Sequence, residues 1–315
     1  MHRGRLLLRF APSQSPPPTL RALIKRLIPL FLGVGMMGSV GAWAQIPRAQ
    51  DGSFVARYQR RVSATQAEQP HWVTPLITVT PRLEQEIRTD FVRQTNSKLQ
   101  NTWNYDNGKG LEIIPERHIE LLFNLPPFLA HQPHVGNDGF GDVTFNSKYR
   151  FYARNEEHGN AIITAFVAGS YPTGKNGNGA CCASVTPALA VGKGFGLVAL
   201  TSTAGGSIPA SSTAKVGHTI AWNNVIQDHI ARTGVARFFW PELESNSSFF
   251  KGGSNDGKAT SFLTPGIIIG RIPLDHDSSG KPGRLGLTFG AGEQIAVTHF
   301  HSNNHNLIFT FRMPF

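Results

Sequence analysis

The residues best placed to do chemistry lie on alternate positions of three segments. Glu84, Glu86, Arg88 and Asp90 share one parity in R-L-E-Q-E-I-R-T-D-F. Glu112, Glu116, His118 and Glu120 share one parity in L-E-I-I-P-E-R-H-I-E-L-L-F-N-L, and Lys148 and Arg150 do so in F-N-S-K-Y-R-F. Side chains two apart on a strand point to the same face. Carboxylates and cations are mixed on that face. Such a set suits a polar lumen that passes small solutes without strong selectivity for either sign. The alternative is the solvated face of a soluble β-protein.

Other candidates carry less. His299, His301 and His305 could offer metal ligands, but no acid or cysteine lies beside them, and Asn303 and Asn304 mark a hairpin tip. They are expected as loop histidines, with no metal or other cofactor. G-K-N-G-N-G (174–179) lacks the G-K-[ST] of a phosphate loop and precedes no helical pattern. There is no G-x-S-x-G, and Ser278 near His276 or Ser302 near His301 is adjacency rather than a triad. No catalytic residue is expected. Cys181 and Cys182, the only cysteines, are neighbours and make no disulfide framework. They are expected as loop residues.

The elements that position the charged face are strands. Val143, Phe145, Tyr149, Phe151 and Ala153 are apolar on one parity, against Asp142, Thr144, Asn146, Lys148, Arg150 and Arg154 on the other. This alternation outlasts an ordinary strand of five or six residues and suits one crossing a bilayer at a tilt. In the second segment Leu111, Ile113, Ile119, Leu121, Phe123 and Leu125 form the apolar face, which Arg117 interrupts without a reason visible in the sequence. At the end, Leu307, Phe309, Phe311, Met313 and Phe315 alternate with Asn306, Thr310 and Arg312. Chain ends are usually polar and frayed; one that ends on a strand must pair on both sides. A terminal Phe after alternating apolar positions, here Phe309, Phe311, Met313 and Phe315, resembles the end signal by which outer-membrane barrels are recognised for assembly.

Composition agrees. The 315 residues include 33 Gly, 21 Pro and 21 Phe, with 40% hydrophobic and 16% charged residues. The formal charge of +10 is concentrated at the start: Arg3, Arg5, Arg9, Arg21, Lys25 and Arg26 precede residue 45 with no acid among them. The remainder holds 30 − 6 = 24 basic against 20 acidic residues, too slight an excess to suggest nucleic acid as a partner. A basic start, an apolar stretch from Leu27 to Val40 and A-W-A before Gln45 read as a secretory signal peptide over 1–44. Residues 45–75 read as a poorly ordered periplasmic lead-in, and 76–315 as the barrel. No later segment holds about twenty consecutive apolar residues, so helical spans are excluded and a closed barrel of about twelve antiparallel strands remains. Short turns are expected at 155–159, 193–196 and 232–234, and longer loops at 126–138, 172–184, 208–213 and 251–258. The connection 272–283 is longer than its place in that order predicts.

Several motifs in order resemble a known family, the outer-membrane proteins grouped as "meta-pathway of phenol degradation". They are G-D-V-T-F-N-S-K-Y-R-F (141–151), Y-P-T-G (171–174), S-V-T-P-A-L-A-V-G-K (184–193), W-P-E-L-E (240–244), F-K-G-G (250–253), N-D-G-K (255–258), F-L-T-P-G-I-I-I-G (262–270) and R-M-P-F (312–315). The resemblance covers about Pro75 to Phe315. It implies a transporter barrel in the outer membrane of a Gram-negative cell that admits hydrophobic or aromatic compounds, and it supplies no catalytic residues. The expected partners are outer-membrane lipid, the barrel-assembly machinery and a small solute. Two other functions remain open: a barrel enzyme acting on lipids, and a secreted soluble β-protein.

Overall fold

The computed structural model describes residues 52–133, 135–276, 280 and 282–315. The expected signal peptide lies outside them, as do residues 45–51 of the lead-in. Residues 53–56 open helix α1 (Phe54–Ala67), where the Ser53 hydroxyl accepts from the Ala56 N–H at 3.1 Å as an N-cap. The rest of the lead-in is ordered too. A helix forms where disorder was expected because Tyr58, Val62 and Thr65 share one face and bury it; Val62 packs with Leu83 and Ile114.

Fifteen β segments follow in one antiparallel sheet. They are β1 (Glu86–Asn96), β2 (Asn101–Asp106), β3 (Gly110–Glu116), β4 (Ile119–Asn124), β5 (Phe128–His131), β6 (Gly139–Phe140), β7 (Val143–Arg154) and β8 (Ala161–Tyr171). The remainder are β9 (Ser184–Phe195), β10 (Val198–Pro209), β11 (His218–Asp228), β12 (Phe239–Lys251), β13 (Ala259–Pro273), β14 (Gly286–Ala296) and β15 (Asn303–Pro314). Three pairs are single strands with an interruption: β2 with β3, β4 with β5, and β6 with β7. Both β2 and β3 pair with β1, and β4 and β5 then pair with β3 and β2 respectively. The barrel thus has twelve strands. Pairing of β1 with β15, from Glu86 opposite Pro314 to Asn96 opposite Asn303, closes it. The last strand, β15, is thus hydrogen-bonded on both edges, to β1 and to β14.

The interruptions have local causes. Asp106, Asn107 and Gly108 all take positive φ between β2 and β3, where Asn, Asp and Gly are tolerated. Pro126 and Pro127 have no N–H for the ladder between β4 and β5.

Two expectations need correction here. The segment from Leu111 to Leu125 is not one strand: β3 and β4 meet at a tight turn over Arg117 and His118. Arg117 no longer interrupts an apolar face, because it sits in that turn and pairs with Glu68. E-R-H itself holds no Gly or Asn to announce the turn, but Pro115 directly before it is a signal against one continuous strand. The sorting of connections by length is also imperfect. Part of the expected loop 126–138 is β5, and the expected short turn at 232–234 belongs to a connection over 229–238 at the same end as 274–285.

The wall has two faces. Outward on alternate positions stand Phe145, Tyr149, Phe151, Leu189, Ile220, Leu243 and Phe309, all exposed. Phe91, Tyr105, Phe128 and Phe140 continue the outer surface as an aromatic stripe, with successive ring centroids 6.2, 6.5 and 5.3 Å apart. An apolar outer band with aromatics is the surface that lipid covers in a membrane barrel. The inner face is polar, and it is occupied.

Candidate functional site

The site is the barrel lumen together with a strap, residues 68–85, that enters it between α1 and β1. The strap is extended irregular chain, so its N–H and C=O groups need partners other than a ladder. Gln69 joins the two arms at the base: its amide donates to Leu83 O at 2.8 Å and accepts from Leu83 N at 2.9 Å. The remaining partners come from the wall.

Glu244 holds the deepest part. Its carboxylate accepts from Ile77 N (2.9 Å), Thr78 N (2.8 Å) and the Thr78 hydroxyl (2.6 Å). Glu242 accepts from Leu76 N at 3.0 Å and from the Gln227 amide at 2.8 Å. Arginines take the carbonyls: Arg88 donates to Leu76 O, and Arg312 donates to Thr74 O and Pro75 O. Thr203 donates to Val79 O and Thr164 to Pro81 O. At the base Lys148 donates to Arg82 O at 3.3 Å, and Glu120 accepts from Glu84 N.

The wall charges are also paired with one another. Arg88 makes a two-point contact with Asp90 at 3.0 and 2.8 Å, and Asp90 accepts from Thr310 at 2.6 Å. Lys148 pairs with Glu120 at 2.9 Å, with both side chains almost fully buried. Arg150 faces the helix end instead. It donates to Thr65 O at 2.7 Å, to the Gln69 side chain at 3.2 Å and to Arg117 O at 3.1 Å. A cation at the C-terminal turn of α1 answers carbonyls that the helix leaves unpaired.

Of the residues singled out from sequence, Glu84, Glu86, Arg88, Asp90, Glu112, Glu120, Lys148 and Arg150 are buried inside the barrel. Glu84 lies on the strap rather than on a wall strand. Glu116 and His118 are exposed at the β3–β4 turn, where Glu116 pairs with Arg61 at 2.9 Å. Their parity suggested the lumen, but the bulge between Ile113 and Glu116 and the tight turn shift them out of phase. Glu242, Glu244 and Arg312 received no role from sequence. The alternation of Trp240, Glu242 and Glu244 was a signal available for the two acids.

A second set of residues opposes the strap without charge. Trp72 and Leu76 pack with Ile162, Ala199, Trp240 and Ile268. Glycines on the wall shape the sockets. A Cβ on Gly192 would stand 2.6 Å from the Trp72 ring, and Cβ atoms on Gly266, Gly290 and Gly292 would stand 2.5, 2.8 and 2.6 Å from Leu76 methyls.

The strap divides what space remains. A chamber of about 520 Å³ lies towards the end that carries the β3–β4 and β7–β8 turns, lined by His71, Trp72, Arg82 and Arg271 among others. Another of about 290 Å³, lined by Ile77, Val79, Thr80, Lys109 and Glu112, lies on the other side. Thr74 borders both.

The other sequence candidates lie apart from the lumen. Cys181 and Cys182 are free thiols in the β8–β9 connection. His299 and His301 lie in the β14–β15 connection, where His301 is bonded to Asn304 at 2.8 Å, and His305 pairs with Glu293 at 3.1 Å.

No protein-family model and no curated protein matches this sequence. Among solved structures, an outer membrane channel from Pseudomonas putida F1 aligns with a TM-score of 0.55 at 14% identity, over 78% of this chain and all of that one. A second solved chain, from a study of in-meso crystallisation of membrane proteins, aligns with a TM-score of 0.40 at 11% identity, over 73% of this chain and 84% of that one. By fold, this chain is a closed twelve-stranded barrel similar to that of the Pseudomonas channel.

Proposed function

We propose that the protein is an outer-membrane channel for small solutes, and that the strap controls passage. The observation that carries this is one wall with two faces: lipid-type outside, polar inside, and closed by the β1–β15 pairing. Likeness to an outer membrane channel supports the same reading. On this reading residues 1–44 are the signal peptide, the turn end with α1 faces the periplasm, and Phe309, Phe311, Met313 and Phe315 are read by the assembly machinery. The resemblance to the phenol-degradation family points to hydrophobic or aromatic solutes.

A strap across the lumen, with a chamber on each side, means that permeation requires its displacement. Its anchors are individually modest, about 1.5–3 kcal/mol for each hydrogen bond to a charged wall group and about 1 kcal/mol for the threonine bonds, so partial release can occur while the barrel stays closed. The test is conductance in planar lipid bilayers after a heat-modifiable gel shift has established folding. Small, infrequent steps that grow when the strap is removed are expected. A folded barrel that never conducts, with or without the strap, would sink the channel. Phospholipid hydrolysis abolished by one Ser or His substitution would replace it with the lipid enzyme.

A further inference from the structure

The larger chamber has a lining out of balance with the rest of the lumen. Around the strap, charges are paired: Arg88 with Asp90 and Lys148 with Glu120. The chamber is instead lined by Arg82, Arg232, Arg237, Arg271, Arg284 and Arg312, against the carboxylates of Glu84 and Glu86. Asp275 stands at the rim beside Gly283.

Among the described residues, Arg82 is bonded to a carboxylate, Glu84, at 3.2 Å. Arg271 donates to the Gly283 carbonyl at 2.7 Å and Arg312 to strap carbonyls, and among the described residues neither is ion-paired with an acidic side chain. Arg284 donates to the Phe315 oxygen at 2.9 Å and to Gln59. Burial and the neighbouring Arg271 charge push Arg284, in the connection before β14, down to about 10.

Among the described residues, three side-chain atoms of residues in this lining are buried without a hydrogen-bond partner: Arg82 Nε, Arg284 Nε and Glu86 Oε1. Buried polar groups in native proteins are nearly always bonded, so the orphans in this lining leave hydrogen-bonding capacity beside the chamber that calls for a partner. Two of the three are guanidinium donors, which match the oxygens of a carboxylate or phosphate. Trp72, Phe238 and Trp240 also line the chamber, and a volume of about 520 Å³ fits a small molecule rather than a bare ion.

We propose that this chamber is a binding site for a small organic anion, its oxyanion head held by Arg82, Arg271 and Arg284 and its apolar body against Trp72 and Phe238. The site lies directly under the strap, so an occupant is held where strap release would let it pass. That last step rests on the channel reading; the binding itself does not.

Isothermal titration of the detergent-folded protein, strap intact, tests it with benzoate, acetate, inorganic phosphate and benzylamine. Benzoate is expected to bind saturably at one site, with acetate and phosphate weaker and no saturable benzylamine heat. Arg271→Gln should weaken benzoate about tenfold, the weight of one charge-assisted hydrogen bond, whereas Arg93→Gln, on the exposed outer face of β1, should not. If Arg271→Gln fails to fold, Arg82→Gln serves, and if neither folds the wild-type comparison with benzylamine decides. Absence of saturable benzoate binding, equal binding of benzylamine, or undiminished binding in the arginine variants would overturn the site. Phosphate binding as tightly as benzoate would overturn the apolar half of it. Because no current is measured, binding to a barrel that never conducts would keep the site and sink the channel, and conduction without binding would do the reverse.

Discussion

The lumen wall grips the strap by two different means. On β1, β4, β7, β12 and β15 it presents charges: Arg88, Glu120, Lys148, Glu242, Glu244 and Arg312 bond strap N–H and C=O groups. On β8, β10, β13 and β14 it is uncharged and mostly small or apolar: Ile162, Ala199, Gly266, Ile268 and Gly292 meet Trp72 and Leu76, while Thr164 and Thr203 donate to strap carbonyls. The charged side alone would satisfy most of these strap groups, Val79 O and Pro81 O excepted, but would not seal against water. The apolar side alone would seal but leave N–H and C=O groups buried and unbonded. An irregular chain can lie inside a barrel only where both are supplied, as non-helical backbone at membrane depth requires.

The largest effect should come from removing the object of both grips. A chain whose mature part begins at Glu84, lacking α1 and most of the strap, should conduct as an open lumen in planar bilayers. Conductance equal to that of the intact protein would mean that the strap is no barrier.

Next comes the charged side's internal pairing. Lys148→Met leaves Glu120 buried without its partner and should cost about 3–5 kcal/mol in the barrel's urea unfolding. The double variant with Glu120→Met should recover much of this. A single variant as stable as wild type would show that the pair is not isolated from water.

Glu244→Gln and Gly292→Val then set the two grips against each other. The first keeps shape but weakens three contacts to the strap and should cost about 2 kcal/mol. The second pushes a side chain into the Leu76 socket and should cost about 1–3 kcal/mol. Both should raise the frequency of conducting steps. An effect of Glu244→Gln without any from Gly292→Val would make the electrostatic grip the sole latch.

The smallest effect lies at the base of the strap, where His71 N donates to Glu156 at 2.6 Å and the His71 ring contacts it at 2.7 Å. Burial works against ionising Glu156, but the hydrogen bonds from His71 outweigh it and hold the carboxyl at about 2. A depressed carboxyl stabilises above its unfolded value of about 4.3 and loses that contribution as pH falls towards about 2. Conducting steps should become more frequent over that window. Glu156→Gln should flatten the part of the pH dependence that this group supplies, and an unchanged profile would assign the acid response elsewhere. Half-exposed groups are weak anchors, so the effect should be slight.

The sequence by itself determined the barrel. Alternation is a local property: Val143 to Arg154 sort their side chains to two faces whatever the neighbours are, and long apolar parities with no apolar helix leave closure as the solution. The same parity placed Glu86, Arg88, Asp90, Glu112, Glu120, Lys148 and Arg150 inside. Parity failed for Glu116 and His118 because a bulge spanning Pro115 and the tight turn after it changed the phase.

Only the tertiary structure decided what fills the lumen. Residues 68–85 have no period, since their partners are scattered over the wall strands, from Arg88, twelve residues from Leu76, to Glu244, 167 residues from Ile77. Gly192, Gly266 and Gly292 look in sequence like ordinary weak points of a strand, and their purpose appears once Trp72 and Leu76 stand against them. Faces are set by neighbours in the chain, but sockets and clamps are set by neighbours in space. That is why the wall could be read from the sequence and the strap could not.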